Sequence, residues 1–312
     1  MKIGFIGVGN IGAPIAGQLL RAGHALTIHD LRRGAAEALL AAGAAWAESP
    51  AALAGDCEVV VTCLPGPTEM EAVCLGSGNL VAALRAGALY IDHTTNAPAL
   101  VRRVHAVLAE KGVAMIDAPV SGGMEGAQTR DLLAMAGGEP ADFERARPLL
   151  EAIAKRVMYT GGIGTGSIAK IMHNCASFTL DMLLAECWTT GVKAGIDAAT
   201  IVRVFTEAAL GNQMNLKVRL PATYLRGDFA PRFSLALTHK DLGLATQLAR
   251  ETDTPMRLAA ICEEEMSEAI ARGWADRDAS IFLTLQEERA NVQVRLPTER
   301  PAQNPGRGNN GS

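Results

Sequence analysis

A glycine-rich motif near the N-terminus has the residue types and the spacing that are needed to bind a phosphate group. The run Gly7-Val8-Gly9-Asn10-Ile11-Gly12 directly follows the apolar segment Lys2–Ile6 and opens a helical pattern, and Asp30 ends the next apolar run. Glycines at these positions allow a tight turn and a close approach of the backbone to a pyrophosphate, which the helix N-terminus attracts. Strand, glycine turn, helix, strand and acid in this order predict a dinucleotide site.

The acid at the end of the second strand indicates which dinucleotide is bound. We expect Asp30 to accept hydrogen bonds from the ribose hydroxyls of NAD and to repel the 2′-phosphate of NADP. Arg32 and Arg33 follow at once and could instead hold such a phosphate. Because the acid stands at the strand end itself, the sequence favours NAD and leaves NADP as the alternative.

A second set of residues could transfer a proton. Lys170, His173 and Asn174 are three and four residues apart, so they share one face of a helix that follows the glycine-rich segment Gly161–Gly166. A lysine can release and accept a proton, whereas an arginine cannot readily do so. On an apolar helix, however, a lysine and an asparagine are more often a snorkelling charge and a satisfied amide.

The segment Ser121-Gly122-Gly123 could bind a carboxylate. It follows a predicted strand, where a hydroxyl and unhindered backbone N–H groups would be presented together. The alternative is a plain structural loop, and these three residues alone do not decide between the two.

The elements that must position these residues change in type along the chain. Short β-branched runs alternate with Ala- and Leu-rich helical stretches up to about Gly166, which predicts a parallel α/β sheet. The predicted strands are Lys2–Ile6, Ala25–His29, Glu58–Thr62, Ala88–Asp92, Val113–Asp117, Leu132–Ala136 and Val157–Thr160. The helices predicted between them include Ile11–Ala22, Ala35–Ala42, Ala99–Glu110 and Phe143–Ile153. After them the periodicity is helical, with one long amphipathic helix reaching about Ala194 and breakers at Pro221, Pro231 and Pro255.

These patterns predict a Rossmann-type doubly wound α/β domain followed by an all-α domain. We place the dinucleotide-binding domain at residues 1–163 and the helical domain, for substrate binding and oligomerisation, at residues 164–296. Residues 297–312 are rich in Pro, Gly and Asn, and we expect them to be a disordered tail.

Composition excludes several classes of protein. The 312 residues are 49% hydrophobic and 20% charged with a net charge of −4, which indicates neither wholesale disorder nor a basic surface for nucleic acid. The six Cys form no CxxC pair and no metal-ligand spacing with His, so we expect reduced thiols and no metal. No segment is apolar for long enough to span a membrane. We therefore expect a cytoplasmic protein that binds a small molecule and neither nucleic acid nor membranes.

Four separated motifs together resemble those of the β-hydroxyacid dehydrogenases, the family of 3-hydroxyisobutyrate dehydrogenase. They are Gly7–Gly12 with Asp30, the run Asp117–Gly123, the pattern Gly164-x-Gly166-x-x-x-Lys170-x-x-x-Asn174, and the segment Phe233–Ala245 that contains Lys240-Asp241-Leu242. Two shorter signals agree, namely Leu64-Pro65 after the third strand and Asp92-x-Thr94-Thr95 after the fourth. The resemblance covers Met1 to about Gln286.

The resemblance implies an oxidoreductase that transfers a hydride between NAD and the hydroxyl of a small 3-hydroxy acid, or the carbonyl of its semialdehyde. Lys170 would be the general acid and base, Asn174 would orient the substrate, and both would bind it together with the carboxylate cradle Ser121, Gly122 and Gly123. The implied cofactor contacts are Gly7, Gly9, Asn10, Ile11, Gly12, Asp30, Leu64, Pro65, Thr95 and Lys240, the last two at the nicotinamide. The resemblance also implies a homodimer or homotetramer.

Three departures from the family's pattern leave the substrate open. His173-Asn174 replaces the usual two Asn and is similar to 6-phosphogluconate dehydrogenase, Arg130-Asp131 replaces a Gly and a hydroxyl residue, and the loop Gly211–Met214 lacks the customary Ser. Ser177 stands where 6-phosphogluconate dehydrogenase has an acid that reprotonates its product, so we expect no decarboxylation. The alternatives are an NADPH-dependent semialdehyde reductase of the tartronate or succinic type, and a non-catalytic dinucleotide-binding protein. Relatives of the latter kind lack the lysine that this chain has.

Overall fold

The computed structural model describes residues 1–76, 80–208, 215–251 and 256–296. The predicted tail 297–312, the loop Gly211–Met214 and the breaker Pro255 lie outside the described residues. The chain forms two compact units, of which the first comprises Met1–Ala176 and Lys240–Met256. The second comprises Ser177–His239 and the described residues from Arg257 onward. These two units are defined by how compactly the chain packs, whereas the predicted boundary at residue 163 separates cofactor binding from substrate binding. That boundary therefore stays a prediction.

A mixed β-sheet forms the centre of the first unit. Its strands in the described residues are β1 (Lys2–Ile6), β2 (Ala25–His29), β3 (Ala45–Trp46), β4 (Val59–Thr62), β5 (Leu89–Asp92), β6 (Ala114–Asp117), β7 (Val120–Ser121), β8 (Leu133–Gly137) and β9 (Arg156–Gly161). Their order is β3-β2-β1-β4-β5-β6-β8-β7, and β9 pairs with β8. The six strands from β3 to β6 in this order run parallel, and the chain order reverses between β1 and β4. A reversal of this kind is where doubly wound sheets bind their ligands.

Helices follow most of the strands and continue beyond the sheet. They are α1 (Gly12–Arg21), α2 (Glu37–Ala41), α3 (Pro50–Ala54), α4 (Pro67–Leu75), α5 (Leu80–Ala83), α6 (Pro98–Glu110), α7 (Gly123–Thr129), α8 (Pro140–Ile153), α9 (Thr165–Lys193), α10 (Ala198–Glu207), α11 (Leu220–Ala222), α12 (Leu235–Glu251), α13 (Arg257–Ala271) and α14 (Thr284–Ala290). Short 3₁₀ segments lie at Arg33–Ala36, Tyr224–Arg226 and Ala279–Leu283, and a π-helical segment lies at Asn215–Arg219. Within the described part of the chain, no helix combines the length and the apolar character that crossing a membrane requires.

Both faces of the parallel strands are buried. In β4, Val59 and Val61 enter the core on one side of the sheet, whereas Val60 enters the core on the other side. In β5, Ile91 and Tyr90 are divided between the two cores in the same way. Strands that are buried on both faces are nearly continuous apolar runs, which is why these segments are recognisable from the sequence.

The structure departs from the predicted elements in three respects. Strands β3 and β7 were not predicted, because two residues are too few to show a periodicity. Strand β8 runs antiparallel to β6 and β7, so the sheet is mixed rather than parallel throughout. Pro221 lies in the first turn of α11 and does not end a helix, which is compatible with proline because first-turn N–H groups have no helical partner.

Two glycines of α1 provide a matched test of this packing. A Cβ atom at Gly12 would lie 1.9 Å from the Gly7 carbonyl oxygen, whereas at Gly17 the nearest atom would be an Arg21 nitrogen at 3.6 Å. We expect Gly12→Ala to lower the free energy of unfolding by about 1–3 kcal/mol, because the backbone must move. Gly17→Ala should raise it by about 0.5–1 kcal/mol, because alanine loses less entropy in a helix. Urea unfolding of both variants measures the difference, and equal stabilities would contradict the close helix–strand packing.

Candidate active site

The three motif glycines at the end of β1 meet three different surroundings. Gly7 has a φ of +91°, and its N–H donates to the His29 carbonyl oxygen at 2.9 Å. A Cβ atom at Gly7 would lie 2.4 Å from the Cys63 carbonyl oxygen, and one at Gly12 would meet Gly7 itself. A Cβ atom at Gly9 would have no neighbour within 4 Å. Gly7 and Gly12 are therefore required by packing, whereas the open backbone at Gly9 fits the approach of a pyrophosphate.

Asp30 is tied to this turn through both of its oxygens. Oδ2 accepts the Val8 N–H at 3.0 Å and Oδ1 accepts the Arg32 N–H at 2.9 Å. A carboxylate has about four lone-pair positions, so acceptor capacity remains for two hydroxyl groups. The neighbouring Arg33 is already engaged, since it pairs with Glu48 at 3.2 Å and lies 5.0 Å from the centre of the Trp46 ring. In the same turn Asn10 is exposed and Ile11 is half-buried.

The loops after β4 and β5 are joined to one another. The Leu64 N–H donates to Thr94 Oγ1 at 3.0 Å, and the buried Asp92 carboxylate accepts from the Thr94 N–H and the Thr62 hydroxyl. Burial raises the pKa of Asp92, while these hydrogen bonds and one from Asn96 oppose the rise. The two loops that carry Leu64-Pro65 and Thr95 are thus fixed by one buried carboxylate.

Lys240, near the start of α12, connects these loops to the proton-transfer residues. Its Nζ donates to the Pro65 carbonyl oxygen at 3.0 Å and to the Thr95 carbonyl oxygen at 3.4 Å. It also lies 2.6 Å from Oδ1 of the adjacent Asp241, whose carboxylate is buried. Two of the three N–H donors of the ammonium group are thus used by carbonyl oxygens, and the contact with Asp241 is an ion pair, because Oδ1 has no hydrogen-bond partner among the described residues.

Asn174 is held by polar neighbours on both sides of its amide. Its Nδ2 donates to Asp241 Oδ2 at 2.7 Å, and His173 Nδ1 lies 3.2 Å from its Oδ1. With Nδ2 directed at the carboxylate, the His173 ring donates to the amide oxygen. One N–H of the amide is left for a further partner.

Lys170 differs from Lys240 in having no hydrogen-bond or ion-pair partner among the described residues. Among the residues that the structure describes, none forms a hydrogen bond or ion pair with its Nζ. Burial lowers the pKa of Lys170 to about 8; Asp241 opposes this shift, and the charge of Lys240 adds to it. A pKa near neutrality allows the side chain to exist as amine or as ammonium under ordinary conditions.

The predicted carboxylate cradle follows β6. Ser121 pairs with Leu133 in the short β7–β8 ladder, Gly122 has a φ of +140° and Gly123 a φ of +66°. A Cβ atom at Gly122 would lie 2.7 Å from the Asp131 carbonyl oxygen, so a side chain cannot be accommodated there.

The carboxyl edge of the sheet brings most of the predicted residues together. The glycine turn contacts Asp30 and the loop that carries Leu64 and Pro65, and this loop is joined to the loop that carries Thr95. Lys240 contacts both loops, and the adjacent Asp241 contacts Asn174. The cradle residues make no hydrogen bond or ion pair with Lys170 or Asn174 in the described structure.

Sequence reasoning assigned no role to Asp117 and Asp241, although both stand within the motifs. Asp241 holds Asn174 and Lys240, while Asp117 accepts the N–H groups of Gly164 and Ser167. An acid at a strand end and an acid beside a functional lysine were the available signals. Within the described ranges, no three His, Cys, Asp or Glu side chains form a group that could hold a metal ion.

Two family models cover most of the chain. Residues 2–161 match the NAD binding domain of 6-phosphogluconate dehydrogenase. Residues 164–285 match the NAD-binding domain of NADP-dependent 3-hydroxyisobutyrate dehydrogenase.

Individual relatives agree with these matches over nearly the full length. The chain is 32% identical to 2-(hydroxymethyl)glutarate dehydrogenase of Eubacterium barkeri, over 94% of this chain and 97% of that protein. It is 34% identical to NAD-dependent L-serine dehydrogenase of Pseudomonas aeruginosa, over 91% and 97%. The solved structure of Mycobacterium tuberculosis 3-hydroxyisobutyrate dehydrogenase with L-serine superposes with a TM-score of 0.82 at 32% identity, over 91% and 98%. Fold, motif geometry and relatives agree, and the chain belongs to the β-hydroxyacid dehydrogenase family.

Proposed function

We propose that this protein is an NAD-dependent oxidoreductase that interconverts a small 3-hydroxy acid and its semialdehyde, with Lys170 as the general acid and base. The observation that carries the proposal is the contrast between two lysines. Lys240 is surrounded by three protein oxygens, whereas Lys170 has no described protein partner and a pKa of about 8. Of these two lysines, Lys170 is the one that the described residues leave available to exchange a proton with a substrate.

The proton-transfer chemistry of Lys170 serves both directions of the reaction. For oxidation, the neutral amine takes the proton of the substrate hydroxyl as the carbonyl forms. For reduction, the ammonium form donates a proton to the carbonyl oxygen. The nicotinamide, when bound, supplies the hydride acceptor or donor.

Substrate orientation is assigned to Asn174 and to the turn Ser121–Gly123. Asp241 and His173 fix the Asn174 amide, so its remaining N–H can point to the reacting oxygen without a rotational cost. The hydroxyl of Ser121 and the backbone N–H groups of Gly122 and Gly123 supply donors for the substrate carboxylate.

Cofactor binding is assigned to residues 1–163 together with Lys240. The open backbone at Gly9 and the N-terminus of α1 suit the pyrophosphate. Asn10, Ile11, Leu64, Pro65 and Thr95 line the same edge of the sheet. The free acceptor positions of Asp30 suit the ribose hydroxyls.

Two alternatives remain distinct from this proposal. An NADPH-dependent semialdehyde reductase is favoured by the exposed Arg32 and by the NADP-dependent enzyme after which the second family model is described. A non-catalytic dinucleotide-binding protein is opposed by the presence of Lys170, whose pKa of about 8 suits proton transfer. The proposal includes no decarboxylation, because Ser177 has a hydroxyl whose pKa is far too high for an acid near neutral pH.

Replacing Lys170 tests the assignment of the general acid and base. We expect Lys170→Met to lower turnover of 3-hydroxy acids by about 10²–10⁴-fold, the usual effect of losing a general acid or base, with little change in cofactor affinity. Steady-state kinetics with a panel of 3-hydroxy acids and cofactor titration measure the two effects. Lys193→Met, which changes an exposed lysine at the end of the same helix, is the matched control and should be unaffected. Activity that survives in Lys170→Met and is lost in Lys240→Met would show that the two roles are reversed.

The pH dependence should differ in sign between the two directions. Only the amine accepts a proton, so kcat/KM for oxidation should rise with pH and level off above about 8, the pKa of Lys170. Reduction needs the ammonium form, so its kcat/KM should fall as pH rises through the same region. Initial rates between pH 6 and pH 10 measure both profiles. If the residual activity of Lys170→Met shows the same dependence on pH, the titrating group is a residue other than Lys170.

Cofactor preference should follow the charge at Asp30. We expect a higher kcat/KM with NAD⁺ than with NADP⁺. Asp30→Asn should lower the ratio of these two efficiencies by about tenfold or more, because the repulsion between the carboxylate and the 2′-phosphate is removed. Asn keeps one acceptor oxygen for the Val8 or Arg32 N–H, so the turn is disturbed less than by alanine. Asp56→Asn, which neutralises an exposed acid before β4, is the control. Equal or NADP⁺-biased efficiencies in the parent protein would favour the reductase alternative.

A further inference from the structure

Asp117, the last residue of β6, is a wholly buried carboxylate that serves α9 rather than its own strand. Its Oδ1 accepts the Gly164 N–H at 2.7 Å, and its Oδ2 accepts the Ser167 N–H at 2.7 Å. These two donors are 47 and 50 residues away in the sequence. The cap of α9 is therefore supplied by the sheet and not by a neighbouring residue of the chain.

The start of a helix requires acceptors of this kind. The first N–H groups of a helix have no carbonyl partner within it, and buried N–H groups without a partner cost free energy. A carboxylate is the strongest acceptor for them, and it complements the positive end of the helix dipole. A serine or an amide would be cheaper to bury, but neither has two acceptor oxygens with which to hold both donors at once.

Close packing fixes the position of the first turn of α9 against the sheet. A Cβ atom at Gly166 would lie 2.4 Å from the carbonyl oxygens of both Asp117 and Met135. A Cβ atom at Gly137, the strand partner of Asp117, would lie 2.6 Å from Asp117 Oδ1. The first turn of α9 thus lies directly against the strand ends, with the carboxylate enclosed between them.

Asp117 connects the two parts of the proposed site, which are the start of α9 with Lys170 and the carboxylate cradle that follows β6. Lys170 is three residues, or about one helical turn, beyond Ser167, and Ser121 is four residues beyond Asp117. A shift of the carboxylate relative to α9 would change the distance between the lysine amine and the carboxylate cradle.

We propose that Asp117 is a positioning residue that clamps the first turn of α9 and so holds Lys170 at the distance from Ser121–Gly123 that the reaction requires. The inference rests on the proposed function, in which Lys170 transfers the proton. Burial and the neighbouring Asp92 raise the pKa of Asp117 to about 7, and the two backbone N–H donors oppose the rise. The clamp therefore uses a group that is costly to bury.

The test is Asp117→Asn, alone and combined with Lys170→Met. Asparagine has the same shape but turns an NH₂ group toward one of the two N–H donors, so one hydrogen bond is replaced by a repulsive contact. We expect kcat to fall by about 10²-fold, the order expected for a displacement of about 1 Å, while cofactor affinity changes less than about threefold. In the Lys170→Met background the same change should cost less than about threefold, because the group that it positions is absent.

Hydrogen exchange tests the clamp without any assay of activity. The amides of Gly164 and Ser167 should exchange about tenfold faster or more in Asp117→Asn, while the amides of α6 keep the parental rate. Asp197→Asn is the matched control, since Asp197 caps α10, which carries none of the proposed site residues. It should affect stability without a change in kcat. If Asp117→Asn does not fold, Asp117→Ser, which keeps one acceptor, is measured in its place with the same expected direction.

The possible failures are distinguishable. An unchanged kcat or unchanged exchange at Gly164 and Ser167 would overturn the positioning role and leave the proposed function standing. A full loss of kcat that persists in the Lys170→Met background would also overturn it, because Asp117 would then act independently of the lysine. Parental activity in Lys170→Met, or no turnover of any 3-hydroxy acid by the parent, would instead contradict the proposed function.

Discussion

The buried carboxylate of Asp241 is the interaction on which the candidate active site depends. A carboxylate inside a protein is tolerated where paired charges or hydrogen bonds replace its water shell. Here Lys240 lies 2.6 Å from one oxygen and the Asn174 amide donates to the other at 2.7 Å. The same negative charge also opposes the fall in the pKa of Lys170, which burial and Lys240 lower to about 8. One acid therefore orients the amide, pairs with the loop-binding lysine and limits the fall in the pKa of Lys170 that burial causes.

The sheet explains why these groups meet. Parallel strands end at a common edge, and the reversal of strand order beside β1 leaves space there for a ligand. The residues that come after β1, β2, β4, β5 and β6 all belong to the candidate site or support it. Glycines allow the backbones to approach at Gly7 and Gly12. The buried Asp92 at the end of β5 holds the loop that follows, and the buried Asp117 at the end of β6 holds the start of α9. The scaffold is thus specified by apolar runs, and the site by the few polar residues that end them.

The sequence predicts the scaffold better than it predicts the connections within the site. Strands such as Lys2–Ile6 and Ala25–His29 agree with the structure residue by residue, because a buried apolar run bounded by Gly or Asp is a local signal. Strands β3 and β7 have no such signal. The sequence assigns Lys170 to proton transfer and Lys240 to the nicotinamide, but it does not reveal that Lys240 is held by protein oxygens while Lys170 has no hydrogen-bond partner among the described residues. Asn174, which donates to Asp241, is 67 residues away from it, and the donors to Asp117 are 47 and 50 residues away, so no periodicity or spacing could reveal these contacts.

The distant cap of α9 also has a consequence for the order in which the protein folds. Bringing Asp117 to Gly164 directly would close a long loop, at an entropic cost that grows with the logarithm of its length. The sheet divides this closure into steps, because Asp117 pairs with Gly137 and Gly137 pairs with Gly161. Once these two pairs have formed, Gly161 lies close to Asp117 in space, and Gly164 is only three residues beyond Gly161. The loop that remains to be closed is therefore short. We therefore expect the first turn of the helix that carries Lys170 to be completed after β6, β8 and β9 have assembled, so that the proposed proton-transfer group reaches its working position late on the folding pathway.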